Sequence, residues 1–248
     1  MTPGARIAAA IEILEKIDRS GSPAEDVVSA YIRGRRYIGS KDRRAITGRV
    51  FDILRRHARL DWLTKSADAR ARVLVDLALN DVIAKDELST LFNGEGYAPK
   101  PLEEEETTLL DALNNVKFDD AEFPAHIQAE LPEWIAEKLQ AQWGDNFQAE
   151  AQALNQPASL DLRVNTLKGD CARALQVLQK DKIDAEATTL SPLGLRVKGR
   201  VNLQASTAFK GGFIEIQDEG SQLVAALVAT KADMKTIDLC AGGGGKTL

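Results

Sequence analysis

The chain has 248 residues, of which 44% are apolar, and its net charge is −5. This length suits one large or two small domains, and the apolar content excludes a disordered tail. No uninterrupted apolar stretch approaches the length of a membrane span, and residues 1–20 mix charges into a helical pattern, so we expect a cytoplasmic protein without a membrane partner. Cys171 and Cys240, with His57 and His126, show no metal-ligand spacing, so no metal site is expected.

Residues 3–92 have the apolar spacing of consecutive amphipathic helices. The third of these is predicted to run from about Ser40 to Lys65. His57 falls on its apolar face, which favours a core histidine over a catalytic base.

Charge is distributed unevenly. Residues 31–65 contain eleven lysines and arginines against three aspartates, a net charge of +8, which leaves −13 for the rest of the chain. Arg44, Arg55 and Arg59 lie opposite the apolar face of the third predicted helix. From the residues alone this face is either a solvated helix surface or a surface that contacts nucleic-acid phosphates.

The stretch NGEGYAPKP ends the helical block. The acidic run that follows it is best explained as the first turn of another helix, because the helix dipole favours negative charge there. Two more helices are predicted from PEWIAEKLQAQWG and from DNFQAEAQALN, the second ending before Pro157.

After Pro157 the apolar period shortens, which indicates strands. SLDLRVNTL, DAEATT and GLRVKG are strand candidates, and CARALQVLQK is a helix. Together they predict a small mixed α/β unit that extends to about Phe209. FIEI is a further strand, and QDEGSQLVAALVAT is a helix with acids at its start.

The last residues, IDLCAGGGGKTL, predict a buried strand over Thr236–Leu239 and a tight turn over Gly242–Gly245. Lys246 and Thr247 would begin a helix. A strand, a glycine turn and a helix in series open a nucleotide-type α/β fold, because the helix start offers free amides to an anion. The phosphate-loop signature fails because Cys240 occupies its first glycine position, and the dinucleotide fingerprint fails because Thr247 occupies its third.

Three segments carry a family resemblance. DLCAGGGGKT resembles the motif Asp-Leu-Cys-Ala-Ala-Pro-Gly-Gly-Lys-Thr of the Fmu/Sun, or RsmB/NOP, family of S-adenosylmethionine-dependent RNA cytosine-5 methyltransferases. IQDEGSQLVA resembles the helix that precedes the first strand of that catalytic domain, and LRVNTLK resembles an element of its small RNA-binding unit. The basic helical block is similar to the antitermination factor NusB, which the bacterial ribosomal RNA members carry at this position.

The resemblance implies an α plus α/β fold in three parts. Residues 1–125 would form a helical NusB-like RNA-binding domain, and residues 126–210 would supply linker helices and a small mixed α/β RNA-binding unit. Residues 211–248 would be the truncated beginning of a Rossmann-like methyltransferase domain. Ribosomal RNA is the expected partner, and we expect a monomer.

The resemblance also implies site residues. Its glycine loop cradles the methionyl part of S-adenosylmethionine, which points here to Cys240, Ala241, Gly242, Gly243, Gly244, Gly245 and Lys246. Glycines 242 and 243 replace alanine and proline, which should make the empty loop more flexible, at about 0.5–1 kcal/mol per site. Among the alternatives for the basic face, the family favours RNA contact by Arg44, Arg55 and Arg59. It adds Arg163 and Asn165 near the substrate strand.

No catalytic residue is expected in this chain. The family's two working cysteines lie in Asp-x-Pro-Cys and Thr-Cys-Ser motifs, which the sequence lacks, and Cys171 and Cys240 are better explained as structural. We therefore expect an N-terminal portion of a ribosomal RNA cytosine-5 methyltransferase that is inactive alone. The alternative is a stand-alone NusB-like RNA-binding module.

Overall fold

The computed structural model describes residues 1–114, 116, 118, 122–199 and 201–247. The chain divides into two compact units, Met1–Gln156 and Pro157–Leu248. This division falls where the apolar period changes in the sequence. The predicted three-part scheme, with boundaries after residues 125 and 210, stays a prediction.

The described part of the first unit is helical. α1 begins at Pro3, where the Thr2 hydroxyl accepts a hydrogen bond from the Ala5 amide and caps the helix. The helices are α1 (Pro3–Arg19), α2 (Ala24–Arg33), α3 (Ser40–Leu54), α4 (His57–Thr64), α5 (Ala69–Leu79), α6 (Lys85–Leu91), α7 (Glu104–Ala112), α8 (Ala125–Gln128), α9 (Glu133–Trp143) and α10 (Phe147–Leu154).

The core of the first unit forms where α1 packs against α3 and α5. Ile13 and Leu14 of α1 meet Val50 and Ile53 of α3 and Leu74 of α5 in one cluster of fully buried side chains. Burying a side chain of this size stabilises the folded state by about 1.5–3 kcal/mol. The apolar stripes that predicted the helices are therefore the surfaces that join them.

The prediction of a single helix from Ser40 to Lys65 is wrong. Helix α3 ends at Leu54, and a new helix, α4, begins at His57. Side chains from the turns after α8 and α10 take over backbone hydrogen bonds at the break. The buried Glu130 carboxylate accepts the amide of Ala58 at 2.7 Å, and the Asn155 side chain donates to the Arg55 carbonyl at 2.7 Å. These partners are 72 and 100 residues away in sequence, which local periodicity cannot detect.

The same break overturns the prediction of a core histidine. The side chain of His57 is 52% exposed, and its Nδ1 hydrogen-bonds the Leu54 carbonyl at 3.0 Å. Because a new helix begins at His57, its side chain lies at the helix start rather than on a continuous apolar face.

The second unit contains a four-stranded antiparallel sheet in the order β2 (Ala185–Ala187), β3 (Gly194–Val197), β1 (Leu160–Val164) and β4 (Ile214–Ile216). In the central strand, Leu162 lies opposite Leu195 and Ile216. The elements are β1 (Leu160–Val164), α11 (Cys171–Lys180), β2 (Ala185–Ala187), β3 (Gly194–Val197), α12 (Thr207–Lys210), β4 (Ile214–Ile216) and α13 (Glu219–Leu227).

One cluster of buried side chains forms the core of the second unit. Leu162, Leu195 and Ile214 from the sheet pack against Ala174 and Leu178 of α11. The predicted combination of helices with a small α/β unit is confirmed. In the ranges that the structure describes, no helix is long and apolar enough to cross a bilayer.

Candidate nucleic-acid interface and glycine turn

Arginines in the second half of the basic region form internal ion pairs. Arg49 reaches Asp76 at 2.8 Å and Asp81 at 2.5 Å, and Arg56 reaches the other oxygen of Asp76 at 2.5 Å. The Asp76 side chain is 1% exposed, and its burial raises its pKa while the two arginines oppose that shift. These guanidinium groups are structural cations that join α3 and the start of α4 to the buried Asp76 of α5.

Two of the sequence-predicted RNA contacts also have internal partners. Arg55 pairs with Asp52 at 3.1 Å. Arg59 Nε donates to Glu130 at 2.7 Å, and its guanidinium lies 4.5 Å from the centre of the Phe118 ring. Only 17% of the Arg59 side chain is exposed, so most of it is unavailable to a large ligand.

A different set of cations remains open to solvent. Lys41 and Arg44 lie in the first turns of α3. Arg33 is the last residue of α2, and Arg36 lies in the turn that follows α2. All four are exposed, and none pairs with a carboxylate among the described residues. With the exposed Tyr37 they lie within residues 33–44, and we call this group the α2–α3 surface, defined as Arg33, Arg36, Tyr37, Lys41 and Arg44.

Of the α2–α3 surface, only Arg44 is a sequence-predicted site residue. The signal that was available is the run RGRRY, which places two of the other cations beside an aromatic residue. The run alone could not show which cations lack acidic partners, because those partners come from distant helices.

The glycine turn is held by its own hydrogen bonds. The Gly244 amide donates to the Ala241 carbonyl at 2.8 Å, and the Thr247 amide donates to the Gly244 carbonyl at 2.9 Å. Gly242 and Gly244 have φ values of 55° and 80°, a left-handed region that favours glycine. The predicted tight turn is therefore present, with two glycines where the backbone requires them.

The prediction of a buried strand over Thr236–Leu239 is wrong. These residues form no strand, and the side chains of Ile237 and Leu239 are 86% and 91% exposed. Lys246 and Thr247 lie in a turn instead of starting a helix. A parallel strand needs neighbours to pair its backbone and bury its apolar side chains, and the described sheet does not extend to this segment.

Two side chains contact the carbonyl of Gly245 in the turn. Arg163, near the end of β1, donates to it at 3.5 Å, and the side-chain amide of Gln217 also donates to it. Gln217 is buried, and its Oε1 has no hydrogen-bond partner in the part of the chain that the structure describes. The structure thus brings Arg163 to the predicted cofactor turn and adds Gln217.

Asn165 is used inside the fold. Its side-chain amide donates to the Gly212 carbonyl at 2.9 Å, and its oxygen accepts the Leu167 amide at 3.0 Å. Both contacts fix the loop that follows β1. Contact of Arg163 and Asn165 with an RNA strand stays a prediction.

Comparison with known proteins matches part of this chain to a domain family. Residues 131–204, which include the central part of the small α/β unit, match the family described as Methyltr_RsmF/B-like, ferredoxin-like domain. Ribosomal RNA small subunit methyltransferase B of Xylella fastidiosa is 36% identical over 118 residues, covering 48% of this chain and 27% of that protein. The predicted resemblance to the Fmu/Sun family is thereby confirmed.

A second relative of this Fmu/Sun-like chain aligns along almost all of it. The probable ribosomal RNA small subunit methyltransferase B of Synechocystis sp. is 27% identical over 269 residues, covering 95% of this chain and 58% of that protein. The crystal structure of PH0851 has a TM-score of 0.59 and 20% identity, and covers 93% of this chain and 56% of that one. The last similarity is one of fold, and the chain spans little more than half of either protein.

The Fmu/Sun-like motif IQDEGSQLVA explains why Gln217 lies beside the turn. Glu219, two residues on, accepts the amides of Leu190 and Ser191 at 2.7 and 2.9 Å and thereby holds the start of α13 on the loop before β3. Gln222 donates to the Leu162 carbonyl at 3.2 Å. In the sequence this motif marked the family resemblance, and no site residue was predicted in it.

Carboxylates of the second unit have depressed pKa values. The amide of Ser191 lowers the pKa of Glu219, and Arg196, which binds Asp161 with two hydrogen bonds of 2.7 and 2.8 Å, lowers the pKa of Asp161. A group whose folded-state pKa is depressed stabilises the fold above its unfolded pKa, about 4 for carboxylic acids, and loses that contribution as pH falls through the folded value.

We therefore expect the second unit to lose stability as the pH falls below about 4. The measurement is the urea midpoint at several pH values, followed by methyl NMR signals of the core leucines in β1 and β3. Asp161→Asn should be less stable at pH 7 and should show a shallower pH dependence. An unchanged pH profile in this variant would contradict the assignment to the Asp161–Arg196 pair.

Proposed function

We propose that this chain is the N-terminal portion of an S-adenosylmethionine-dependent ribosomal RNA cytosine-5 methyltransferase of the cytoplasm. Its helical unit would recruit RNA, and its second unit would add RNA contacts and the first cofactor-binding turn. The NusB-like character of residues 1–125 and the start of a Rossmann-like domain within residues 211–248 belong to this proposal. The confirmed family resemblance and the names of the relatives support it.

The observation that carries the RNA-binding part is the α2–α3 surface. It concentrates exposed cations without acidic partners, as far as the structure describes the chain, on a protein whose total charge is −5. Such cations strengthen RNA binding because they displace counterions from the phosphates. Each phosphate contact on a single strand therefore lowers the slope of log affinity against log salt concentration by about 0.7. Internally paired arginines cannot do so without losing their partners.

The test is fluorescence anisotropy of a labelled small-subunit ribosomal RNA fragment against the full chain over a range of salt concentrations. Four phosphate contacts predict a slope of log affinity against log salt near −3. Binding that is absent, or that does not change with salt, would refute the proposed RNA-binding function.

The glycine turn offers donors for the amino-acid tail of S-adenosylmethionine. The amides of Gly242, Gly243 and Gly245 donate no hydrogen bond to any described residue, so they are available for a carboxylate. Arg163 and Gln217 hold the Gly245 carbonyl and so orient the turn. The donor set fits the carboxylate, and the bound cofactor would supply the methyl group.

This chain should bind S-adenosylmethionine weakly, so calorimetry should show little or no heat. The segment from Cys240 to Gly243 is exposed, and its glycines cost about 0.5–1 kcal/mol each to order. An RNA titration of the same sample is the control that the protein is competent to bind. Micromolar cofactor affinity would show that the exposed turn alone suffices.

We also expect no methyl transfer from this chain alone. Burial raises the pKa of Cys171, which disfavours the thiolate that attacks a pyrimidine ring, and Cys240 belongs to the proposed cofactor turn. Incubation with ribosomal RNA and radiolabelled cofactor measures this directly.

A stand-alone RNA-binding module is the second candidate, and it is favoured because residues 236–239 do not form the first strand that a Rossmann-like domain requires. Bisulfite sequencing of ribosomal RNA from a deletion strain separates the two functions. Loss of one 5-methylcytosine supports the methyltransferase, whereas an unchanged methylation pattern supports the module.

A further inference from the structure

We propose that the α2–α3 surface binds unpaired RNA, with the base of one nucleotide stacked on Tyr37 and the flanking phosphates held by the cations of that surface. This inference rests on the proposed RNA-binding function and specifies the form of RNA that is bound. Its basis is the exposure of Tyr37 and of the cations that flank it in sequence.

Tyr37 is displayed by a turn that is fixed from both sides. Its neighbour Ile38 is 1% exposed and anchors the turn in the core. The Ile38 amide donates to the Arg35 carbonyl at 3.0 Å, and Arg43 Nε donates to the Ile38 carbonyl at 2.8 Å. Arg35 in turn pairs with Glu12 of α1 at 3.2 Å.

This anchoring leaves the Tyr37 side chain 72% exposed on a backbone that is already ordered. A ligand that stacks on the ring would therefore not have to order the turn first. A ring held in position gives up less entropy on binding than one on a mobile loop.

Exposure alone would not identify a binding site, because single exposed aromatic residues are common on protein surfaces. Tyr97 is 85% exposed, but the charged residues nearest to it in sequence, Glu95 and Lys100, cancel each other. Tyr37 instead lies between Arg36 and Lys41, neither of which has a carboxylate partner within the described residues. An exposed aromatic residue that is flanked in sequence by exposed cations without carboxylate partners has the composition of a single-strand binding surface.

The geometry favours unpaired RNA over a duplex. In a duplex both faces of each base are covered by its neighbours, so a protein side chain has access only to phosphates, 2′-hydroxyls and base edges. A single strand can turn one base out onto an aromatic ring while its phosphates stay near the cations. Stacking would thus add to an electrostatic attraction that both forms of RNA share.

The experiment compares a labelled single-stranded RNA of mixed sequence with the duplex of the same sequence, using the full chain and fluorescence anisotropy. Tyr37→Ala should weaken single-strand binding about tenfold, which corresponds to about 1.4 kcal/mol, and should change duplex binding little. Tyr37→Phe keeps the ring and should bind like the unmodified chain. Tyr97→Ala is the matched control and should have no effect.

A second readout reports stacking itself. A 2-aminopurine flanked by uridines is little stacked in free RNA, so its fluorescence should fall on binding to the unmodified chain and fall less with Tyr37→Ala. This signal also distinguishes a lost stack from a misfolded variant, because the duplex affinity of the same sample shows whether the cations are still presented.

Equal single-strand affinity for Tyr37→Ala and the unmodified chain, with salt-dependent binding intact, would overturn the stacking inference and leave the proposed RNA binding standing. The stacking inference would also be overturned if Tyr97→Ala lost as much single-strand affinity as Tyr37→Ala. Absence of salt-dependent binding to either RNA by the unmodified chain would overturn the inference together with the function on which it rests.

Discussion

Replacing Arg36, Lys41 and Arg44 together by glutamate should lower the affinity for ribosomal RNA about 100-fold at moderate salt. Each substitution removes a phosphate contact and adds a repulsive charge, so the salt slope should also fall in magnitude by about 2. All three side chains are exposed, so the variant should stay folded. The measurement is anisotropy over a salt series, with a far-ultraviolet circular dichroism spectrum to check the fold.

A control with the same change in net charge is available in the same unit. Lys16, Lys100 and Lys138 are exposed and lie outside the basic region. Their triple replacement by glutamate should reduce affinity only by the long-range effect of net charge, a few-fold at most, because screening weakens charges beyond about 10 Å. Equal losses in the two triple variants would mean that RNA binding does not depend on the α2–α3 surface.

Charge reversal at Arg59 would be a poorer test of RNA binding. Arg59→Glu would place a second carboxylate against Glu130, which also accepts amides at the start of α4. A loss of RNA binding in that variant could not be separated from a loss of fold. The sequence-predicted RNA contact at Arg59 is therefore best tested after the cations of the α2–α3 surface have been tested.

Asp76→Ala should destabilise the first unit by about 3–5 kcal/mol, because it leaves two partly buried guanidinium groups without their shared carboxylate. Arg49 and Arg56, whose side chains are 25% and 18% exposed, would both lose an ion pair. The free energy of unfolding in urea, followed by tryptophan fluorescence, measures this effect. The three tryptophans all lie in the first unit, so the signal reports that unit.

The Lys85–Asp111 pair provides the control. Its distance of 2.6 Å is as short as those at Asp76, but its side chains are 38% and 57% exposed. An exposed pair contributes about 0–1 kcal/mol, so Asp111→Ala should have a small effect. Similar losses in both variants would show that burial does not set the importance of these ion pairs.

Much of the secondary structure could be predicted from local patterns. The strands at residues 160–164, 194–197 and 214–216 lie where the short apolar period placed them, and α9 and α10 follow the two predicted helical segments. The error at the third helix has a tertiary cause, since Glu130 and Asn155 replace helical hydrogen bonds at the break. The error at Thr236–Leu239 arises because apolar residues form a strand only where neighbouring strands can pair with them.

Local residue patterns were enough to predict the helical and mixed segments, the glycine turn and the motifs that mark the family, because each depends on residues close together in the chain. Which cations of the basic region lack a carboxylate partner, in the part of the chain that the structure describes, became evident from the folded structure alone. Asp76 and Glu130 reach Arg49 and Arg59 from 27 and 71 residues away, whereas no described carboxylate pairs with Arg36 or Lys41. Ion pairing depends on distance in space, and folding sets that distance.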